Sequence, residues 1–137
     1  MELVVDLGDR SYPIIIENGL LNSIGNEVKK VYKGKKIFIL TDKNVYKYYG
    51  EFITNKLREA NFEVKIYALK PGEESKNIST LPQVYNELLD FNLTRSDLII
   101  TLGGGVIGDL GGFVASTYLR GIDFVQVPTS LLAQVDS

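Results

Sequence analysis

The chain has 137 residues, 45% of them hydrophobic and 23% charged, with a formal net charge of −2 and a pI near 5.2. That size and balance describe one soluble domain with a single core, and exclude disorder, a fibrous repeat and a cationic footprint for nucleic acid. The absence of cysteine and histidine removes disulfides, thiolate catalysis, a Ser-His-Asp triad and the commonest zinc ligand, and fits a reducing cytoplasm.

Met1-Glu2-Leu3-Val4-Val5-Asp6 places acids inside a short apolar run, unlike a signal peptide, and no run approaches the ~18 apolar residues of a membrane span. Two β-rich runs, Glu2 to Leu7 and Ser11 to Glu17, flank Gly8-Asp9-Arg10 and predict a hairpin. Leu20, Leu21, Ile24, Val28 and Val31 recur at helical spacing, with Gly34 placed as a stop. Ile37 to Leu40 is a short, wholly apolar strand, as expected of burial on both sheet faces.

A second helix is predicted from Val45 to Ala60, with Val45, Tyr49, Phe52, Ile53 and Leu57 inward and Asn61 ending it. Phe62 to Tyr67 alternates as a strand, and Lys70-Pro71-Gly72 marks a loop. A third helix runs from Thr80 to Phe91, capped by Ser79, tolerating Pro82 in its first turn and carrying Leu81, Val84, Tyr85, Leu88 and Leu89 inward. Leu98 to Leu102 and Phe124 to Val127 are strands on either side of a helix from Val106 to Tyr118. Alternating units after a hairpin predict a right-handed, three-layer α/β domain.

Gly103-Gly104-Gly105-Val106-Ile107-Gly108 follows a buried strand and opens a helix, the context in which G-x-G-x-x-G binds a dinucleotide through backbone amides and the helix N-terminus. The same glycines also suit tight packing of the helix, and both readings stand at this level. The fingerprint ordinarily follows the first strand, whereas here it comes late. The best-placed acid is Asp42, at the carboxyl end of an earlier strand. Its carboxylate could accept both ribose hydroxyls and repel a 2′-phosphate, favouring NAD; alternatively Asp42 or Asn44 caps the next helix.

Gly72-Glu73-Glu74-Ser75-Lys76 could meet hydroxyls and phosphate or be a solvated loop. Arg120 needs an anionic partner, either a ligand or Asp123. The hydroxyls of Thr129 and Ser130 either touch a ligand or cap a helix, and Asp136 has no local partner.

These motifs, with Tyr118-Leu119-Arg120-Gly121, Gln126 to Ser137 and the opening Arg10-Ser11-Tyr12-Pro13, together resemble the 3-dehydroquinate synthase family. The resemblance spans residues 1–137 but only the N-terminal, NAD-binding part of that enzyme, whose motif continues past Ser137 into a glycine-lysine segment. It implies a Rossmann-like parallel sheet with flanking helices and an N-terminal β-hairpin. The implied reaction converts 3-deoxy-D-arabino-heptulosonate 7-phosphate to 3-dehydroquinate and phosphate, in the shikimate pathway, with NAD used catalytically. A divalent metal, zinc or cobalt, is implied for the complete enzyme, held by a glutamate and two histidines of its C-terminal domain. No metal ligand is expected among these 137 residues, and the fragment alone is expected to be inactive.

By the same resemblance, Asp42 and Asn44 hold the adenosine side, and Pro71, Gly72, Glu73, Glu74, Ser75 and Lys76 lie near the ribose and phosphates. Gly104 and Gly105 receive the pyrophosphate, while Val106, Ile107, Gly108, Asp109, Thr129 and Ser130 line the remaining cofactor site. Asp136 faces metal and substrate, and Arg120 reaches a substrate phosphate across a homodimer interface. Ser130 stands where the family usually has threonine; it keeps the hydroxyl and loses a methyl group. The expected partners are thus a sugar phosphate and a second copy, with no nucleic acid and no membrane, in the cytoplasm. The competing readings are a related metal-dependent alcohol dehydrogenase or sugar-phosphate cyclase, and a non-catalytic nucleotide-binding module.

Overall fold

The computed structural model describes residues 2–7, 10–15, 20–70 and 80–128, with side chains from residue 23 onward. Strands β1 (Glu2–Leu7) and β2 (Arg10–Ile15) form the predicted hairpin. Arg10 belongs to the strand, opposite Leu7, and not to the turn. There follow α1 (Leu20–Val31), β3 (Lys36–Asp42), α2 (Lys43–Val45), a π-helical stretch (Tyr46–Gly50) and α3 (Glu51–Glu59). The chain continues through β4 (Glu63–Leu69), α4 (Thr80–Asp90), β5 (Leu98–Gly103), α5 (Gly105–Thr117), a 3₁₀ turn (Tyr118–Arg120) and β6 (Asp123–Pro128).

The strands make one sheet in the order β2-β1-β6-β5-β3-β4, in which β6, β5, β3 and β4 are mutually parallel and β1 alone runs against its neighbours. Alternation along each strand divides the core into two. Ile37 and Ile39 of β3, with Leu98, Ile100 and Leu102 of β5, pack under Ile24 and Val28 of α1 and Ile53 and Leu57 of α3. Phe38, Leu40 and Ile99 face the other way, onto Val84 and Leu88 of α4 and Val114 and Ala115 of α5. Two helical layers therefore enclose a sheet whose central strands are buried on both faces, which is why their sequences are almost unbroken apolar runs.

The crossovers through α1 and α3 advance toward β4 on one face, and those through α4 and α5 return toward β6 on the other. All four connections thus have one hand, as parallel crossovers require. The reversal leaves β3 and β5 as neighbours whose outgoing chains diverge to opposite faces, opening a crevice at their carboxyl ends.

Helix ends follow the local chemistry. Asn61 and Asn92 both adopt left-handed backbone, at φ 73° and 58°. In each case the next amide bonds back into the last turn, Phe62 to the Leu57 carbonyl and Leu93 to that of Leu88. Two inward expectations are corrected: Phe52 and Leu89 are exposed. Val45, Ile53 and Leu57, four or eight residues apart, fill the inward stripe of the second helical region. Phe52 lies to one side of that stripe, with Lys56 Nζ 5.4 Å from its ring centre. Leu89 likewise lies beside the buried Leu88.

A candidate nucleotide site at the carboxyl edge of the sheet

The crevice is built from the ends of two paired strands. Thr41 of β3 is opposite Leu102 of β5, and the Thr41 hydroxyl donates to the Leu102 carbonyl at 2.6 Å, tying the strands together immediately below the site. The next residues, Asp42 and Gly103, are where the two chains part.

Asp42 caps α2: its Oδ1 accepts the Val45 amide at 2.9 Å. Its other carboxylate oxygen has no partner among the described residues. The capping alternative is therefore real, and it leaves one acceptor free for a ligand. Asn44 follows on the exposed side of the same short helix.

The glycines of the fingerprint divide by what surrounds them. A Cβ on Gly108 would collide with the end of the Gln126 side chain, and one on Gly111 with Thr101 Cγ2. These two glycines bring α5 down onto the sheet. A Cβ on Gly104 or Gly105 would meet nothing within 4 Å among the described residues, so packing within that part of the chain gives no reason for glycine there. Gly104 is the N-cap of the 13-residue α5 and supplies no side-chain cap. The first intrahelical bond runs from the Gly108 amide to the Gly104 carbonyl at 3.0 Å, so the amides of Gly105, Val106 and Ile107 have no acceptor within the helix. Among the described residues this helix N-terminus is neither capped nor obstructed, and its partial positive charge is directed at the crevice, suited to a pyrophosphate.

Val106 and Asp109 lie exposed on the first turns of α5. Ile107 turns its side chain into the core, leaving only its amide toward the crevice, and the Gly108 amide is taken by the Gly104 carbonyl. Pro128, opposite Gly103, ends β6 at the same edge, so Thr129 and Ser130 follow from that edge in the sequence. Pro71 to Lys76, Thr129, Ser130 and Asp136 lie outside the described residues.

Arg120 is placed elsewhere. It follows α5, so it lies at the amino edge of the sheet, about 20 Å from the glycine loop at 1.5 Å per helical residue. No ion pair joins it to Asp123 among the described residues. It lines a cavity of about 700 Å³ with Arg95, Ser96 and Ser116. Sequence reading passed over Arg95, because nothing within its own turn signals a cavity wall shared with a residue 25 positions away. The π-helical stretch after Asp42 was also missed, since its apolar spacing resembles that of an ordinary helix. Among the described residues, no three His, Cys, Asp or Glu side chains gather as a metal-binding set, and no helix is long and apolar enough to cross a membrane.

The model for the 3-dehydroquinate synthase N-terminal family matches residues 66–137, which include the glycine run, the Arg120 turn and β6. The chain belongs to this family. It is 69% identical over 136 residues to a 3-dehydroquinate synthase of Clostridium beijerinckii, covering 99% of this chain and 39% of that protein. With its counterpart from Clostridium acetobutylicum the identity is 53% over 135 residues, covering 98% of this chain and 38% of the relative. The chain thus spans about two-fifths of the length of these relatives. Among solved structures, a 2-deoxy-scyllo-inosose synthase complexed with carbaglucose-6-phosphate, NAD+ and Co2+ superposes with a TM-score of 0.78 at 22% identity, over 94% of this chain and 35% of that one. A 2-epi-5-epi-valiolone synthase from Streptomyces hygroscopicus, with NAD+ and Zn2+ bound, gives a TM-score of 0.75 at 26% identity, over 90% and 34%. The fold of these two solved synthases agrees with the doubly wound arrangement described above.

Proposed function

We propose that the chain is the NAD-binding part of a 3-dehydroquinate synthase, acting on 3-deoxy-D-arabino-heptulosonate 7-phosphate to give 3-dehydroquinate and phosphate. The observation that carries this reading is the pair Gly104 and Gly105. Among the described residues nothing packs where their Cβ would be, they stand at a helix end whose N-cap gives no side-chain cap, and they face Asp42 across the switch-point crevice of a chain from this family. NAD+ in the solved cyclases supports the cofactor.

NAD, when bound, accepts and returns a hydride. The chain's own contribution is to hold it. The open amides of Gly105, Val106 and Ile107 take the pyrophosphate charge, and the close approach is possible because residues 104 and 105 lack a Cβ. The free Asp42 oxygen accepts ribose hydroxyls and disfavours a 2′-phosphate, while Asn44 and Asp109 border the site. By resemblance, Pro71 to Lys76, Thr129 and Ser130 complete the cofactor contacts and Asp136 faces the substrate. The described residues offer no metal set. The divalent metal that the resemblance implies would be held by a glutamate and two histidines outside residues 1–137.

Arg120 lies too far along α5 to share a ligand with the glycine loop of its own chain. The reading that fits is contribution to the substrate phosphate of a second copy, hence a homodimer, operating in the cytoplasm. In the full-length protein, the sugar phosphate should yield inorganic phosphate without net NADH. Accumulating NADH would identify a dehydrogenase instead, and NAD binding without turnover would leave a nucleotide-binding module. Asp42→Asn preserves the helix cap and should weaken NAD binding about tenfold, measured by equilibrium titration. An unchanged dissociation constant would remove Asp42 from the ribose role.

A further inference from the structure

The cavity at the amino edge of the sheet contains two arginines, and the proposed function uses only one. Arg95 lies in the turn before β5 and Arg120 in the turn before β6, and both line the same space. Both are exposed, and neither has an ion-pair partner among the described residues. The nearest acid in sequence to Arg95 is occupied. Asp97 Oδ2 accepts the Thr94 amide at 2.7 Å and the Thr94 hydroxyl at 3.0 Å, and Oδ1 faces the Tyr32 hydroxyl at 3.4 Å. Asp97 thus braces the turn that carries Arg95 without neutralising its guanidinium. Asp123, the carboxylate in the cavity wall, is engaged in an interaction of its own.

The two turns are locked together. Tyr118, the first residue of the Arg120 turn, donates its buried hydroxyl to the carbonyl of Leu93, which immediately precedes the Arg95 turn, at 2.8 Å. The Ile122 amide bonds back to the Ala115 carbonyl at 2.7 Å. Between these anchors, Leu119 and Arg120 occupy left-handed backbone at φ 49° and 68°, a costly conformation for non-glycine residues that fixes where Arg120 emerges.

The geometry points to Arg95 as a second cation for the phosphate that Arg120 binds, so that two guanidiniums read a phosphate monoester. This deepens the proposed function and rests on its assignment of Arg120 to the substrate phosphate. Charge balance gives the reason. A phosphate monoester carries about −1.5 to −2 at neutral pH, which one arginine leaves partly uncompensated. The carboxyl end of α5 also opens here with its partial negative charge, and its last turn contains no basic residue. Arg95 supplies a second positive charge from the same cavity wall, and a planar guanidinium can present two N–H donors to phosphate oxygens.

The test uses the full-length protein, with steady-state kinetics on the sugar phosphate, inhibition by inorganic phosphate and an NAD titration. Arg95→Ala should raise KM and the phosphate inhibition constant about tenfold each, leaving kcat and NAD affinity within about twofold. Arg95→Lys, which keeps one charge but not the fork, should fall between. If Arg120→Ala raises KM while Arg95→Ala and Arg95→Lys do not, the second-cation assignment is overturned and the phosphate reading stands. If neither arginine affects KM or phosphate inhibition, both assignments fall. A loss in Arg95→Ala confined to kcat, or shared by NAD affinity, would mark a structural role and also overturn it.

Discussion

Glycine has two separate uses within one short run. At Gly111 the missing Cβ admits Thr101 Cγ2, and at Gly105 it leaves a surface open among the described residues. Gly111→Ala should therefore destabilise by about 1–3 kcal/mol, the usual cost of overpacking, and Thr101→Ser should recover part of it by removing the methyl group. Gly105→Ala should leave the thermal midpoint unchanged or slightly higher, since alanine favours the helix, but should weaken NAD binding at least about tenfold by intruding on the pyrophosphate. Thermal unfolding with NAD titration separates the two; equal effects on both readouts would contradict the division. The buried Thr101 hydroxyl has no hydrogen-bond partner among the described residues. Thr101→Val should consequently preserve or raise stability in the same unfolding assay.

At the scale of elements, the informative places are turns. Asn61 and Asn92 stop α3 and α4 because a short polar side chain tolerates left-handed backbone better than most. That choice was legible at Asn61, where apolar periodicity ends at the residue. The turn at Leu119 and Arg120 was not legible, since leucine gives no local signal for φ 49°. It is held from outside, by the Tyr118 bond to Leu93 and the Ile122 bond to Ala115. Leu119→Gly should stabilise the protein by roughly 1 kcal/mol, in chemical denaturation, by relieving that conformation. Tyr118→Phe should cost about 1–3 kcal/mol because it strands a buried carbonyl. If Leu119→Gly destabilises instead, its half-exposed side chain contributes more packing than its backbone costs.

Across the whole molecule, the amino edge of the sheet is tied by tyrosines, and this sets the response to alkali. Burial, with the nearby Asp97 charge, raises both the Tyr32 and Tyr118 phenols above their ordinary value. A group that holds its proton more tightly when folded contributes fully below its unfolded value of about 10 and progressively less above it. The urea midpoint should stay level through neutral pH and fall as pH rises beyond about 10. Tyr32→Phe should make that fall shallower, although it also removes the 2.7 Å bond to the Lys36 carbonyl.

The sequence by itself determined the parallel α/β architecture and most elements, because buried strands must be apolar and helices must repeat their inward face. It also determined the residues near the carboxyl edge, since the glycine run and Asp42 each terminate such a strand. Only the tertiary structure decided which glycines pack and which stay open, because that depends on Thr101 and Gln126 across the layer. The same holds for β1, which enters the sheet antiparallel beside β6, a long-range pairing that no local pattern specifies. It holds again for Arg95 and Arg120, which one cavity unites because two separate strands begin side by side.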